Sequence, residues 1–333
     1  MQGSGVVEHT ICCQQTDDMI RPAARQQSMM NKWIAIVLVS QAMTAASTYV
    51  LKDHFYGSNF FDNFYFMNAT DPSKGYVQYV NKTTAQNLDL YNYHENKNWM
   101  YVDNTTIASL PGRKSVRIQS NNIYNQGLFI FDMSHIPWGC GTWPAIWTSG
   151  ANWPYSGEID IMEGTNSNTF NSMTLHSSAN CTMDNVTQVM TGSMTVSGCG
   201  SSSGCSIRDS RSTAYGHGFN VIGGGVFAME WLTNGIKIWN FPRTGIPSDI
   251  QSGDPDPTSW PTPQAHFPFG VNCPSTNFKN QYIILNTDFC GWGNQTFTSN
   301  GCGSSCHPYV ANNPGNFSNA FFTINSIKVY NQQ

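Results

Sequence analysis

The chain has 333 residues, a formal net charge of −4 and only 11% charged residues. With 40% hydrophobic and 13% aromatic residues it can bury a sizeable core, which excludes an intrinsically disordered chain. Its lysines and arginines form no cluster, which excludes the basic footprint of a nucleic-acid-binding surface.

The first feature along the chain is an apolar run, "NKWIAIVLVSQAMTAAST", from Asn31 to Thr48, preceded by Arg21, Arg25 and Lys32. Its unbroken apolar part falls well short of the ~20 residues that a membrane helix needs. It ends in the small residues Thr44, Ala45 and Ala46. The run therefore reads as a secretory signal cut near Ala46 or Ser47, rather than as a retained anchor. Met29 or Met30 is then the expected start, which makes residues 1–28 an N-terminal extension and residues 29–47 the signal. Seven N-x-[ST] sequons, at Asn68, Asn81, Asn104, Asn180, Asn185, Asn294 and Asn316, agree with export, because glycosylation requires the secretory path. The expectation is a secreted protein, extracellular or in the cell wall, with no stable membrane association once the signal is removed.

From residue 48 onwards, short strand-like segments follow one another: "FDNFYFM", "GYVQYV", "SVRIQS", "GLFIFDM", "WPAIWTS", "EIDIME", "SMTLHSS", "VFAMEWL", "GIKIWNF", "QYIILNT" and "FFTINSIKVY". Gly, Pro, Asn and Ser separate them, and helical periodicity is nearly absent. This pattern predicts an all-β sandwich or barrel. No linker divides residues 48–333, which predicts one domain. The loop from Thr195 to Gly218 contains a formal G-x-S-x-G match between Gly200 and Gly204. No apolar strand precedes it and no helix follows, so it is not a hydrolase elbow. Neither H-E-x-x-H nor a phosphate-loop motif occurs, which leaves a metal-dependent hydrolase without support.

Outside the leader, eight cysteines remain: Cys140, Cys181, Cys199, Cys205, Cys273, Cys290, Cys302 and Cys306. An even number in an exported chain predicts disulfides, and no C-x-x-C pair supports zinc. Pairing between near neighbours such as Cys302 and Cys306 is the expectation.

The segment "EIDIME" crowds Glu158, Asp160 and Glu163 into six positions. On a strand, Glu158 and Asp160 share one face, while Ile159 and Ile161 point into the core. Glu163 lies five positions from Glu158, so a regular strand would bury it as a lone carboxylate. A bulge at Ile161–Met162, with Met162 as the inserted residue, restores the parity and puts all three acids on the open face. Two glutamates so placed suit a retaining glycosidase, one as nucleophile and one as acid/base. Asp160, between them, would hydrogen-bond the nucleophile and help keep Glu163 protonated. The competing reading is a solvated acidic edge strand. The nearby Trp143, Trp147 and Trp153 favour a sugar-binding face, although each tryptophan alone is more readily a core residue.

"GCGTWPAIWTSGANWPYSGEIDIMEG", followed by "MTLHSSANC", resembles the fungal laminarinase-type members of glycoside hydrolase family 16. The resemblance runs from Tyr49 to Tyr330 and takes in "GRKSVRIQS", "IKIWNFPR" and "INSIKVY". It implies a β-jelly-roll sandwich of two antiparallel sheets with an open cleft on the concave face. It also implies a monomeric endo-1,3(4)-β-glucanase acting on a β-glucan with retention of configuration, with residues 48–333 as the catalytic domain. Glu158 is implied as nucleophile, Asp160 as its helper and Glu163 as acid/base. Trp153 is implied to stack beside the cleavage point and His176 to contact the acid/base side, with Trp143, Trp231 and Trp292 as further cleft residues. A core histidine is the plainer reading of His176. Residues 1–28 have no counterpart in the family, and "FCGWGNQ" around Trp292 is shortened. Some members hold a structural calcium on the convex face, but no calcium loop is recognisable here, so no cofactor is expected. Two alternatives share the fold: a cell-wall transglycosylase, for which the unbulged E-x-D-x-E form is usual, and a non-catalytic glucan-binding protein, which typically loses the acids.

Overall fold

The computed structural model describes residues 49–178 and 180–333. The expected extension and signal lie outside the described residues. Two antiparallel sheets of eight strands each make the sandwich. The first runs in the order Ala265–Pro268, Gly235–Pro242, Gly225–Leu232, Gly127–His135, Phe322–Gln332, Lys97–Met100 and Tyr91–His94, with Tyr49–Phe55 also pairing to Phe322–Gln332. The second runs in the order Ser193–Val196, Cys205–Asp209, Asn171–His176, Glu158–Glu163, Thr142–Gly150, Gln281–Phe289, Arg117–Ser120 and Phe64–Phe66. The acidic strand therefore lies inside the second sheet, hydrogen-bonded on both sides, which overturns the edge-strand reading. Helices are few and short.

The sequence pattern explains the stacking. From the first sheet, Phe129, Phe131, Met133, Phe227 and Met229 point inward. From the second, Ile146, Ile159, Leu175, Ile207 and Leu285 meet them in one core. Burying each such side chain stabilises the fold by about 1.5–3 kcal/mol. The strand "GLFIFDM" shows no alternation because both of its faces are covered. Phe129 and Phe131 face the main core, while Leu128 and Ile130 pack into a second cluster with Trp239, Phe241 and Trp260. Trp231 shares the inward face with Phe227 and Met229, is 1% exposed and stacks near Phe129. The expectation that Trp231 lines the cleft is thereby corrected, since alternation along its own strand directs it into the core.

Four disulfides join Cys140 to Cys302, Cys181 to Cys273, Cys199 to Cys205 and Cys290 to Cys306. The expected Cys302–Cys306 pairing is corrected. Cys306 opens the helix Cys306–Asn312 and reaches back to Cys290, while Cys302 ties to Cys140 across 162 residues. Near-neighbour pairing holds for Cys199–Cys205, which braces the long loop after Thr195. The two bridges at Cys290 and Cys302 pin the segment that carries Trp292.

Candidate active site

The bulge is present, one residue earlier than expected. Glu158 lies opposite Ser149, Asp160 opposite Trp147, Met162 opposite Ile146 and Glu163 opposite Ala145, with the register shift between Asp160 and Met162. Ile161 is thus the inserted residue, not Met162. Both side chains are fully buried, and the parity argument depends only on there being one insertion. Glu158, Asp160 and Glu163 consequently share the face of Trp147 and Ala145.

A bulge strands backbone groups that the ladder would otherwise pair. Asn171, fully buried on the neighbouring strand, satisfies two of them. Its Oδ1 accepts from the Glu163 backbone N–H at 2.9 Å and its Nδ2 donates to the Ile161 carbonyl at 3.0 Å. At the end of the motif, Gly164 leaves room for the Tyr215 ring, which lies 2.5 Å from where a Cβ would sit.

Glu163 Oε1 accepts a hydrogen bond from the Trp143 indole N–H at 2.8 Å. Trp143 in turn meets Trp292 edge-on at 6.2 Å between ring centroids. Gly291 permits this contact, because a Cβ there would sit 2.4 Å from the Trp143 ring. Asn166 fixes the same region by donating to the Gly293 carbonyl at 2.7 Å and accepting from the Gly141 N–H at 2.9 Å. Trp292 is 40% exposed and Trp153 is 53% exposed. Trp153 precedes the acidic strand and hydrogen-bonds Glu158.

His176 stands directly opposite Glu158 on the adjacent strand. Its Nε2 lies 3.3 Å from Asp160 Oδ2 and 3.9 Å from Glu158 Oε1. Trp147, left between core and cleft by the sequence, lies on the open face. Its N–H donates to Asn286 Oδ1 at 2.7 Å, and the Arg117 guanidinium stacks 4.7 Å above its ring. Sequence reasoning missed Asn171, Arg117 and Asn286. Strand pairing places Arg117 and Asn286 side by side on the face of Ala145, a relation that appears only in the fold. The structure thus brings Glu158, Asp160, Glu163, Trp143, Trp153, His176 and Trp292 to one region and leaves Trp231 out.

Burial pushes each of the three carboxyls up to about 8. The neighbouring Asp160 charge adds to this for Glu158 and for Glu163. Against it, His176 and the Trp153 hydrogen bond favour the charged form of Glu158, and the Trp143 hydrogen bond favours that of Glu163. Three acids so close cannot all ionise, so the cluster holds protons in common near neutral pH. One ionised and one protonated carboxyl in reach of the same bond can serve as nucleophile and acid.

Among the described residues, two groups of three His, Cys, Asp or Glu side chains lie close enough to share an ion. One is Cys181, Cys199 and Cys273, all held in disulfides. The other is Glu158, Asp160 and His176. Neither is an oxygen-only side-chain set of the kind that calcium takes.

Residues 64–330 match the model of an XgeA-like catalytic domain of glycoside hydrolase family 16. A probable glycosidase of Schizosaccharomyces pombe is 42% identical over 293 residues, covering 86% of this chain and 70% of that protein. An endo-1,3(4)-β-glucanase of Emericella nidulans is 41% identical over 302 residues, covering 86% of this chain and 48% of the relative. The chain thus spans about half the length of the Emericella protein. Among solved structures, laminarinase 16A of Phanerochaete chrysosporium, with β-glucans in donor and acceptor sites, superposes with a TM-score of 0.81 at 41% identity, covering 86% of this chain and all of that one. An elongating family 16 β-1,3-glucosyltransferase superposes with a TM-score of 0.80 at 37% identity, covering 85% of this chain and all of that one. The fold, the three carboxylates on its open face and these similarities converge: the chain belongs to glycoside hydrolase family 16.

Proposed function

We propose that this chain is a retaining, endo-acting β-glucanase that cleaves internal β-1,3 bonds, and β-1,4 bonds next to them, in a glucan such as laminarin. The observation that carries the reading is the bulged strand, which sets Glu158, Asp160 and Glu163 on one face beside Trp143 and Trp153. Glu163, holding its proton up to about 8, donates it to the leaving glycosidic oxygen as Glu158 attacks the anomeric carbon. The covalent glycosyl–Glu158 ester forms and the aglycone leaves. Glu163, now a carboxylate, takes a proton from water, which attacks the same carbon and frees Glu158 with the configuration retained. Asp160 orients Glu158 and, when it is the ionised member of the proton-sharing cluster, its charge keeps the proton on Glu163. Trp153 and Trp292 offer ring faces to the sugars on either side.

The laminarinase and endo-1,3(4)-β-glucanase relatives support the substrate class. Secretion as a monomer, through residues 29–47, is part of the proposal and is supported by four disulfides and seven sequons. A second reading, transfer of the glycosyl group to another sugar, is favoured by the 37% identical glucosyltransferase. The test is reducing-sugar release from laminarin, lichenan and carboxymethyl-cellulose by wild type and Glu158→Ala, with product anomers followed by NMR. Release from laminarin and lichenan of the β-anomer, abolished in the variant, supports hydrolysis. Longer oligosaccharides without net release move the assignment to transfer.

A further inference from the structure

The arrangement that aligns the carboxylates also gathers three metal-ligating atoms of mixed type. His176 Nε2, Asp160 Oδ2 and a Glu158 carboxylate oxygen all lie within 4.8 Å of one another. The two measured separations from His176 are 3.3 Å and 3.9 Å. A tetrahedral zinc ion, with bonds of about 2.0–2.2 Å to nitrogen and oxygen, spaces its ligand atoms about 3.4 Å apart. Small side-chain rotations therefore suffice to close a three-ligand site. An independent observation points the same way. Asp160 is 3% exposed, and its Oδ2, which faces His176 Nε2 at 3.3 Å, accepts no hydrogen bond. Buried carboxylate oxygens are normally satisfied, and a cation here would satisfy this one.

We propose that Glu158, Asp160 and His176 form a binding site for one divalent transition-metal ion of the zinc and copper type, and that the bound ion blocks the glucan cleft. One imidazole and two carboxylates suit zinc and copper, with copper the tighter by the general affinity order. Calcium, which takes six to eight oxygens, and magnesium, which retains its waters, are poorly matched. The site is open above the strand face, so water or buffer completes the coordination. Binding is reversible rather than structural. His176 Nδ1 is buried without a partner, whereas a strong imidazole ligand donates its second N–H to an oriented acceptor, and loss of such a partner weakens a site about 10–100-fold. Inhibition follows because the ion occupies the oxygen that must attack the sugar. That part rests on the function proposed above, whereas ion binding rests on the side chains alone.

The experiment titrates Co2+, followed by displacement with Zn2+, into the full protein without substrate, reading visible absorption and calorimetry. One ion per chain is expected, with binding weakened at least tenfold in His176→Ala and in Glu158→Gln. Glu163→Gln, which alters a carboxyl outside the ligand set, is expected to keep one ion per chain. Far-ultraviolet circular dichroism confirms that each variant is folded. With laminarin, Zn2+ is expected to raise the apparent KM and leave kcat unchanged. Three results would overturn the proposal: no stoichiometric ion in wild type, equal binding in His176→Ala and Glu158→Gln, or inhibition through kcat alone. Stoichiometric Co2+ binding in a protein inactive on every glucan would uphold the site and sink only the glucanase reading.

Discussion

Asp160 is the most informative residue to change, because its burial and its role pull stability in opposite directions. Inside the sheet its carboxyl keeps its proton up to about 8, against an ordinary value of 3.8, with burial as the cause. Between those values the folded chain binds a proton that the unfolded chain has released, so stability is fully present below pH 4 and is lost as pH rises towards 8. Each pH unit is worth about 1.4 kcal/mol, which bounds the loss at roughly 5–6 kcal/mol by pH 8. Glu158 and Glu163 titrate with Asp160 as one cluster, so about 2–3 kcal/mol is a fair share for this residue. Asp160→Asn keeps the shape of the neutral acid and cannot ionise. Its midpoint of thermal unfolding should match that of wild type near pH 4 and exceed it by roughly 3–5 °C at pH 8. Glucan hydrolysis should fall in the same variant, as expected for a site that trades stability for activity. Differential scanning calorimetry at pH 4, 6 and 8 checks this. A difference independent of pH, or a variant less stable than wild type at pH 8, would refute the reasoning.

The kcat/KM of wild type on laminarin should decline as pH rises through about 8, where Glu163 loses its proton. Trp143→Phe deletes the N–H that favours the charged form of Glu163, so its alkaline limb should move to higher pH; an unmoved limb in the pH profile would contradict that role. Trp231→Ala should cost about 3–5 kcal/mol in urea unfolding, as expected for a buried aromatic, with KM unchanged for the folded fraction; a raised KM without lost stability would return Trp231 to the cleft. Replacing Cys290 and Cys306 together with serine opens a bridge that closes 16 residues and should cost about 3 kcal/mol. Because Trp292 lies two residues after Cys290, laminarin KM should rise more than kcat falls, and steady-state kinetics would show it.

Much of the fold and site is legible in the residues. Period-2 alternation marks the strands, and the odd spacing from Glu158 to Glu163 demands an insertion. It does not say which residue is inserted, because Ile161 and Met162 are both apolar and both end in the core. The strand holding Phe227, Met229 and Trp231 carried the information that would have placed Trp231 inward, but weighing tryptophans as sugar platforms overrode the alternation. The long-range disulfide connectivity was not legible: Cys140 and Cys302 meet through the folded chain across 162 positions, and spacing carries no record of that. Nor was Asn171, whose function exists only because a neighbouring strand leaves two backbone groups unpaired.

The interdependence of Asn171 and the bulge has an evolutionary consequence. Deleting Ile161 alone would give a regular E-x-D-x-E strand with Glu163 still on the open face, but would leave the buried Asn171 amide without the backbone partners that the bulge provides. Replacing Asn171 alone would leave an N–H and a carbonyl unpaired beside the acid. Each one-step neighbour of this sequence at the motif therefore carries a buried polar defect. A lineage that abandons the bulged form must cross that barrier by changing both positions together, so intermediates should be scarce and descendants should fall into two separate groups.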